Sequence, residues 1–263
     1  MPTFISDGHT LAYDDVAPAG GHRRTIVLVH GFASNKKEGW RRTGWYSAFE
    51  RRGVRCIAID QRGHGESAKL YDPADFKREK LARDVLTLMD HLDLPRADLF
   101  GYSMGSRTVL AAALAAPDRV SNLILGGVGG KMIGERSGGG SSNKLAEAML
   151  TDDASSISEP FMASFRAFAE EQGEDRKALA AFTSAENAPL DPADFARLTM
   201  PVLVVAGVGD TLAGDPKDLA AAFPHAHGIS IVGCDHFSAI PHAMTKATVF
   251  DFLDGELDNP FPQ

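Results

Sequence analysis

The pentapeptide Gly101-Tyr102-Ser103-Met104-Gly105 lies between the run 98–100 and a segment of small residues that begins at Ser106. Gly-x-Ser-x-Gly between a strand and a helix is typical of a tight turn that carries a nucleophilic serine. A side chain two positions before or after the serine would collide with the neighbouring strand and helix, and glycine removes that collision. The turn therefore predicts that Ser103 is exposed at a helix N-terminus, where backbone N–H groups face developing negative charge. Taken alone, the pattern also fits an ordinary turn with an exposed serine.

Alternating strand and helix patterns surround this turn. Apolar and β-branched segments typical of buried strands occur at 25–29, 54–59 and 201–207. Further strands are predicted at 120–125 and 229–232. Between 74 and 92 the apolar residues follow helical spacing instead. Residues 10–13 predict an antiparallel strand at the sheet edge. The alternation predicts an α/β fold with a mostly parallel central β-sheet and helices on both faces.

The length and composition of the chain limit the classes of protein to which it can belong. With 263 residues, one α/β domain that carries an insertion is favoured over two independent domains. A net charge of -8 argues against nucleic acid or an anionic membrane as a partner, because both require a basic face. The N-terminus shows no secretory signal and the apolar runs are too short to span a bilayer, so we expect a cytoplasmic protein. Cys56 and Cys234 are expected to be buried, reduced thiols.

The strand pattern stops between Gly126 and Leu198. We therefore assign residues 1–128 and 199–263 to the core and 129–198 to an inserted helical cap. Phe161, Met162, Phe165 and Phe168 repeat at helical spacing and form one apolar face. We expect Phe161 and Phe165 to line a substrate pocket, with the glycine-rich residues 134–142 as a hinge. The alternative is a helical layer with a small core of its own.

Five landmarks follow one another after the predicted strands: 30–32, 60–67, 101–105, 207–210 and 233–236. Their order resembles the serine–acid–histidine chain order of the α/β-hydrolase family. This resemblance covers nearly the whole chain. It implies Ser103 as nucleophile, Asp210 as acid and His236 as base. It also implies an oxyanion hole made by the backbone N–H groups of Phe32 and Met104, with Gly31 and Tyr102 beside the substrate.

The chemistry agrees with that assignment. A serine hydroxyl needs a base within hydrogen-bond reach, and the imidazole needs a carboxylate that holds its tautomer. Asp215 and Asp218 are the alternative acids, whereas Asp235 adjoins the base but is expected to point away from it. The resemblance implies that His30 braces the oxyanion loop and carries no proton during the reaction.

A serine nucleophile favours an acyl-enzyme, and a carboxylesterase acting on short- to medium-chain esters is the simplest interpretation. Lactonases and hydrolases that cleave a carbon–carbon bond in meta-cleavage products have similar motifs, so these two activities are the alternative enzyme functions. The sequence carries no metal-binding or cofactor-binding motif, so we expect no cofactor and a small-molecule ester as the partner, with a homodimer left open. A different class of function, a non-catalytic receptor that holds a small apolar ligand under the cap, is the remaining alternative.

Overall fold

The computed structural model describes residues 1–133 and 140–258. The strands are β1 (Thr3–Ser6), β2 (His9–Val16), β3 (Arg24–Val29), β4 (Val54–Ile59), β5 (Ala97–Tyr102), β6 (Val120–Gly126), β7 (Val202–Gly207) and β8 (Ala226–Ile231). They form one eight-stranded sheet in the order β1-β2-β4-β3-β5-β6-β7-β8. The β1–β2 hairpin is antiparallel and pairs antiparallel with β4, whereas β3 to β8 run parallel. The predicted α/β fold with a mostly parallel sheet is confirmed.

Helices cover both faces of this sheet. They are α1 (Trp45–Arg51), α2 (Arg78–His91), α3 (Met104–Ala115), α4 (Gly140–Leu150), α5 (Pro160–Glu171), α6 (Arg176–Thr183), α7 (Pro216–Ala220) and α8 (Ala243–Leu253). One core cluster contains Leu88, Val109 and Leu219 from α2, α3 and α7. A second contains Trp45 from α1 and Phe250 from α8. None of the described helices is long and apolar enough to cross a membrane.

The inner strands are buried on both faces, as their unbroken apolar sequences predict. All six residues of β5 and of β7 are buried. Such strands cannot turn one face to water, so helices must pack on each side. The carboxyl ends of the parallel strands consequently meet at one edge of the sheet, where ligand sites form in this class of fold.

Two elements differ from the sequence-based prediction. Residues 74–92 are not one helix, because a short 3-10 turn, Pro73–Phe76, precedes α2 and Lys77 between them is extended. Phe76 is buried in a separate cluster with Ala181 from α6, which holds the turn away from the helix axis. The second difference is the extra edge strand β1, whose alternating exposed and buried residues form a pattern only four residues long.

The segment between β6 and β7 is helical in its described part. Its middle forms a cluster that includes Met149, Phe165 and Leu179 and that packs on Phe32 in the loop after β3. Its ends belong to the main core, where Phe195 is fully buried. Residues 134–139 of the expected hinge lie outside the described residues.

The two cysteines are buried and not bonded to each other, as expected. Cys56 lies on β4 and Cys234 follows β8. Burial raises the pKa of the Cys56 thiol to about 12. Because the thiolate is the nucleophilic form, Cys56 is chemically inert at neutral pH.

Candidate active site

The turn between β5 and α3 holds Ser103 in a strained backbone conformation, with φ 54° and ψ -114°. A side chain on Gly101 would place its Cβ 2.2 Å from the carbonyl oxygen of Gly105. One on Gly105 would come within 2.0 Å of the carbonyl oxygen of Val29 on β3. Neither distance is compatible with a methyl group, so the turn requires glycine at both positions.

Ser106 is a residue of this turn that sequence reasoning missed. Its Oγ lies 2.8 Å from the carbonyl oxygens of Gly101 and of Gly126, to either of which the hydroxyl can donate. The backbone N–H of Ser103 also donates to Gly126, at 2.7 Å. These hydrogen bonds join the turn to β6, because strands β5 and β6 end side by side. The conformation of the Ser103 backbone is thereby set by two strands and a helix.

Three side chains from separate strand ends form a continuous hydrogen-bonded chain. The hydroxyl of Ser103 lies 2.9 Å from Nε2 of His236, and Nδ1 of His236 lies 2.7 Å from Oδ2 of Asp210. Asp210 follows β7 and His236 follows β8, which are neighbours in the sheet. Both side chains are buried. With Nδ1–H donating to the carboxylate, Nε2 is left to accept from the serine hydroxyl.

The second oxygen of Asp210 is also satisfied. Its Oδ1 accepts hydrogen bonds from the backbone N–H groups of Leu212 and Ala213, each at 3.0 Å. A carboxylate held by two backbone donors and an imidazole is fixed in one orientation. The loop after β7 thus orients the oxygen that faces His236.

The alternative acids have other partners. Asp215 caps the N-terminus of α7 by accepting from the N–H of Lys217 at 2.9 Å. Asp218 lies within α7 itself. Asp235 accepts from the N–H groups of Phe237 and Ser238, at 3.0 and 2.8 Å. Of the acids considered from the sequence, the structure therefore brings only Asp210 to His236.

Tyr102, which is predicted from the sequence to lie beside the substrate, packs against His236 and forms a hydrogen bond with its backbone. Its hydroxyl donates to the backbone carbonyl of His236 at 2.6 Å, and the two rings lie 5.7 Å apart. Only 6% of its surface is exposed. Gly127 allows this packing, because a Cβ there would lie 2.9 Å from the tyrosine ring.

The loop after β3 is braced by His30. Nδ1 of His30 donates to the carbonyl of Gly31 at 2.8 Å, and Nε2 accepts from the N–H of Gln61 at 3.1 Å. Burial lowers the pKa of His30 to about 4, so its imidazole is neutral near pH 7. Gln61 itself is held by the Thr108 hydroxyl at 2.7 Å, a contact that no motif signals. The hydrogen bonds of His30 therefore join the loop after β3 to the loop after β4.

This loop passes directly beside the nucleophilic turn. A Cβ on Gly31 would lie 3.4 Å from Cβ of Ser103. Phe32, the next residue, is therefore adjacent to the serine. Met104 opens α3, where the first N–H groups of a helix have no acceptor within the helix. The two predicted oxyanion donors consequently belong to segments that flank Ser103 on either side.

Two cavities meet at Ser103 and His236. The larger has a volume of about 340 Å³ and is lined by Phe161 and Phe165, among others. The smaller, of about 200 Å³, is lined by Gly31 and Tyr102. The centroids of the Phe161 and Phe165 rings lie 4.8 Å apart, and 36% of Phe161 is exposed. All four residues predicted to contact substrate thus border one of these cavities.

No group of three or more His, Cys, Asp or Glu side chains within residues 1–133 and 140–258 could hold a metal ion. The hydrogen-bonded chain at the nucleophile joins a hydroxyl, an imidazole and a carboxylate. This arrangement is suited to moving a proton between an oxygen and a nitrogen.

A family model for the α/β hydrolase fold matches residues 24–133, from β3 to just beyond β6. The solved structure of the enol-lactonase from Burkholderia xenovorans LB400 is 26% identical, with a TM-score of 0.71. That similarity covers 96% of this chain and 100% of the enol-lactonase. The chain has the α/β-hydrolase fold. The serine turn and the loop after β3 lie within the matched residues.

Curated relatives match less than half of the chain. The dihydrolipoyllysine-residue acetyltransferase component of the acetoin cleaving system of Pseudomonas putida is 41% identical over 118 residues, which are 45% of this chain and 30% of that protein. A 2-hydroxy-6-oxononadienedioate/2-hydroxy-6-oxononatrienedioate hydrolase of Paraburkholderia phymatum is 35% identical over 116 residues, 42% of this chain and 39% of that protein. The match therefore spans less than half the length of either relative.

Proposed function

We propose that this protein is a serine hydrolase that cleaves short- to medium-chain carboxylic esters through an acyl-enzyme on Ser103. The single observation that carries the proposal is the hydrogen-bonded chain from Asp210 through His236 to Ser103, which ends at a cavity lined mainly by apolar side chains. A serine at a strained turn with a base 2.9 Å away is arranged for nucleophilic attack.

In the acylation step, Oγ of Ser103 attacks the ester carbonyl carbon while Nε2 of His236 takes the hydroxyl proton. The carbonyl oxygen becomes an oxyanion, which the backbone N–H groups of Phe32 and Met104 stabilise. Asp210 stabilises the imidazolium that forms, without accepting its proton. When the intermediate collapses, the bond to the alcohol oxygen breaks and His236 returns the proton to that oxygen.

Deacylation repeats the sequence with water in place of the serine hydroxyl. His236 takes a proton from water, the hydroxide attacks the acyl carbon, and a second oxyanion forms in the same position. Collapse breaks the bond to Ser103 and returns the proton to its Oγ. The products are one carboxylic acid and one alcohol, and the enzyme regains its starting state without a cofactor.

Residues 129–198 act in this proposal as a cap over the site. Phe165 on α5 packs against Phe32, with 5.7 Å between the centroids of the two rings, and it lines both cavities. The larger cavity, at about 340 Å³, lies at the lower end of the volumes typical of small-molecule sites, which suits a short or medium acyl chain. Phe161 and Phe165 set how long that chain can be.

The relatives favour two further reactions of the same nucleophile. The structural similarity to an enol-lactonase supports ring opening of a lactone, in which the leaving alcohol stays attached to the acyl group. The similarity to a 2-hydroxy-6-oxononadienedioate hydrolase supports cleavage of a vinylogous diketone. Both reactions use an oxyanion hole and a histidine base, so the described site is compatible with each.

The test is to assay the wild-type protein and Ser103→Ala against nitrophenyl esters of increasing acyl length, a lactone and a vinylogous diketone. We expect hydrolysis with a short or medium optimum that the variant loses, and an acyl adduct on Ser103 detectable by mass spectrometry. Turnover of only the lactone or the diketone would replace the esterase proposal by one of the other reactions. A ligand that binds and is recovered unchanged would instead support a receptor.

A further inference from the structure

The loop after β3, residues 30–36, contains a strained residue beside the predicted oxyanion donor Phe32. Ala33 is fully buried and has a φ of 58°, in the left-handed region that alanine rarely adopts. Such a conformation costs free energy and persists only where surrounding contacts hold it. The position of the N–H of Phe32, one residue earlier, therefore depends on those contacts.

Contacts within the core fix the two ends of this loop. At one end, Nδ1 of His30 donates to the carbonyl of Gly31 at 2.8 Å. At the other end, the backbone N–H of Lys36 donates to Oδ1 of Asp60 and its Nζ donates to Oδ2, both at 2.6 Å. The strained residue lies between these two fixed points.

The inserted helices pack on the middle of the loop. Ala33 belongs to the cluster that contains Phe165 on α5 and Leu179 on α6. The centroid of the Phe32 ring lies 5.7 Å from that of Phe165 and 6.0 Å from that of Phe182 on α6. Apolar packing has no directional preference, so it does not by itself fix the backbone of the loop.

A directional contact comes from the turn between α5 and α6, where Glu174 is 8% exposed. Its Oε1 accepts from Nδ2 of Asn35 at 2.9 Å, and its Oε2 accepts from the N–H of Gly65 at 2.8 Å. Oδ1 of Asn35 in turn accepts from the N–H groups of Lys37 and Glu38, at 3.0 and 2.9 Å. The carboxylate of Glu174 thus joins the inserted helices to the loops after β3 and β4.

This carboxylate is costly to bury. Desolvation raises the pKa of Glu174, although the hydrogen bonds from Asn35 and Gly65 and the positive charge of Lys69 act in the opposite direction. An apolar side chain could fill the same space without that cost. What the carboxylate adds is a pair of directional hydrogen bonds, which specify one arrangement of the groups that donate them.

We propose that Glu174 is a positioning residue, which acts through Asn35 to hold the loop after β3 in the conformation that presents the N–H of Phe32 to the oxyanion. The proposal rests on the proposed serine hydrolase and adds a residue of the inserted helices to the support of its oxyanion hole. Glu174 is not among the described residues that line either Ser103 cavity. We therefore expect it to affect the chemical step and not the binding of substrate.

Two single variants remove the same hydrogen bond from opposite ends. Glu174→Gln places an amide nitrogen opposite either Asn35 or Gly65, so that one of these donors loses its acceptor. Asn35→Ser keeps a hydroxyl that can cap the N–H groups of Lys37 and Glu38, but it is too short to reach Glu174. Because they break one bond from two sides, either variant tests the proposal if the other does not fold.

Steady-state hydrolysis of 4-nitrophenyl butanoate measures the effect. Glu174→Gln and Asn35→Ser should each lower kcat by about tenfold to a hundredfold, because a displaced oxyanion donor weakens the binding of the transition state. KM should stay within about threefold of the wild type, since the cavity walls are unchanged. Wild-type kcat in both folded variants would overturn the role of Glu174 and leave the hydrolase intact.

A double variant restores the contact with its polarity reversed. In Asn35→Asp combined with Glu174→Gln, the new amide donates to the new carboxylate while its oxygen still accepts from Gly65. Asn35→Asp alone places two carboxylates side by side and should lower kcat as the other single variants do. The double variant should return kcat to within about threefold of the wild type. A double variant no better than the single ones would overturn the proposed hydrogen bond.

Tyr71→Phe is the matched control for attachment of the inserted helices. The Tyr71 hydroxyl donates to Oδ2 of Asp175 at 2.9 Å, which joins the same turn to the core without involving the loop after β3. This variant and Glu171→Gln, at an exposed position on α5, should keep the kcat of the wild type. Losses of kcat in Tyr71→Phe equal to those in Glu174→Gln, or losses confined to KM, would overturn the positioning role.

An inhibitor that forms an oxyanion reports on the hole directly. With 1,1,1-trifluoroheptan-2-one, Oγ of Ser103 adds to the ketone carbon, the carbonyl oxygen becomes an oxyanion and the serine proton passes to His236. The inhibition constant should rise in Glu174→Gln by the factor by which kcat/KM falls. An unchanged inhibition constant beside a lowered kcat would overturn the proposal.

Hydrogen exchange separates failure of this proposal from failure of the proposed function, because it needs no substrate. Glu174→Gln and Asn35→Ser should speed amide exchange in residues 31–38 by about threefold or more, and the double variant should reverse this change. That pattern in a wild-type protein that hydrolyses no ester would keep Glu174 as the residue that holds the loop and overturn the hydrolase. Unchanged exchange in both single variants would overturn the role of Glu174 whatever the activity.

Discussion

The loops at the strand ends and the helices inserted between β6 and β7 both border the proposed substrate cavities, but different interactions hold them. In the loops, backbone groups dominate: the serine turn requires glycine on both sides and Asp210 is held by two N–H groups. In the inserted helices, side chains dominate, as in the contacts of Phe165 with Phe32 and Phe161. We therefore expect the residues that hold the reacting groups to tolerate few substitutions, whereas the residues that line the cavities can be substituted without loss of the fold.

The largest effect is expected at the nucleophile itself. Ser103→Ala should lower kcat by at least about a thousandfold, because the three hydrogen-bonded residues act as a unit. The residual rate reflects the oxyanion donors and binding alone. The variant should unfold at the temperature of the wild type, which thermal melts would check. Near-normal turnover by a folded variant would contradict the proposed mechanism.

The second effect distinguishes the acids at the strand ends. Asp210→Asn should lower kcat by about a thousandfold or more, since the amide disfavours the tautomer of His236 that accepts a proton. Asp215→Asn is the matched control and should change kcat little, because either side chain can cap α7. Steady-state kinetics at saturating ester would measure both. The reverse order of effects would move the acid to Asp215.

A methyl group in the serine turn tests how strictly the backbone contacts are required. Gly105→Ala should destabilise the fold by more than about 3 kcal/mol, because its Cβ would meet the carbonyl of Val29 at 2.0 Å. Gly20→Ala is the control, since a Cβ there has no neighbour within 4 Å. Urea denaturation gives both free energies of unfolding. Equal stabilities would show that the turn adjusts to a side chain.

Acid should destabilise the strand-end loops through their buried histidines. Burial lowers the pKa of His30 to about 4 and that of His64 to about 3. Between about pH 6.5 and 4 the unfolded chain binds more protons than the folded one, so stability is present above this window and is lost as pH falls through it. At about 1.4 kcal/mol per pKa unit, His30 alone accounts for about 3 kcal/mol.

Urea denaturation across this window would measure that loss. His64→Gln should reduce the dependence of stability on pH, because one of the two buried imidazoles is removed. His22→Gln, at an exposed position, should leave the dependence as in the wild type. A wild-type protein equally stable at both ends of the window would contradict the predicted protonation of these histidines.

The smallest effect on stability is expected in the inserted helices. Phe161→Ala should cost less than about 1 kcal/mol, because 36% of the side chain is exposed, yet it should lengthen the preferred acyl chain. Leu150→Ala, an exposed apolar residue that lines neither Ser103 cavity, is the control and should leave the preference unchanged. Relative kcat/KM over a series of ester lengths measures the shift. An unchanged optimum would exclude Phe161 from the pocket.

The fold could be predicted from the sequence because the signals that mark its strands are local. Unbroken apolar runs such as residues 25–29 and 202–206 mark strands that are buried on both faces, whatever the remaining topology. The turn around Ser103 is equally local, since its two glycines are required by atoms within the same turn and on the adjacent strand. The sequence did not predict the four-residue strand β1 or the break in the helix at Lys77, because short elements are set by packing against distant residues.

The sequence by itself determined the α/β fold and the serine turn, because strand ends and glycine turns are encoded by neighbouring residues. Asp210 and His236 were singled out by the order of the landmarks, which resembles that of the α/β-hydrolase family. Their catalytic roles stay predictions. Only the tertiary structure decided that Tyr102 supports His236, that Gln61 and Thr108 brace His30, and that Arg78 and Arg107 line one cavity. Those contacts join residues far apart in the chain, and nothing in the local pattern of charge or hydropathy specifies which distant side chain will meet them.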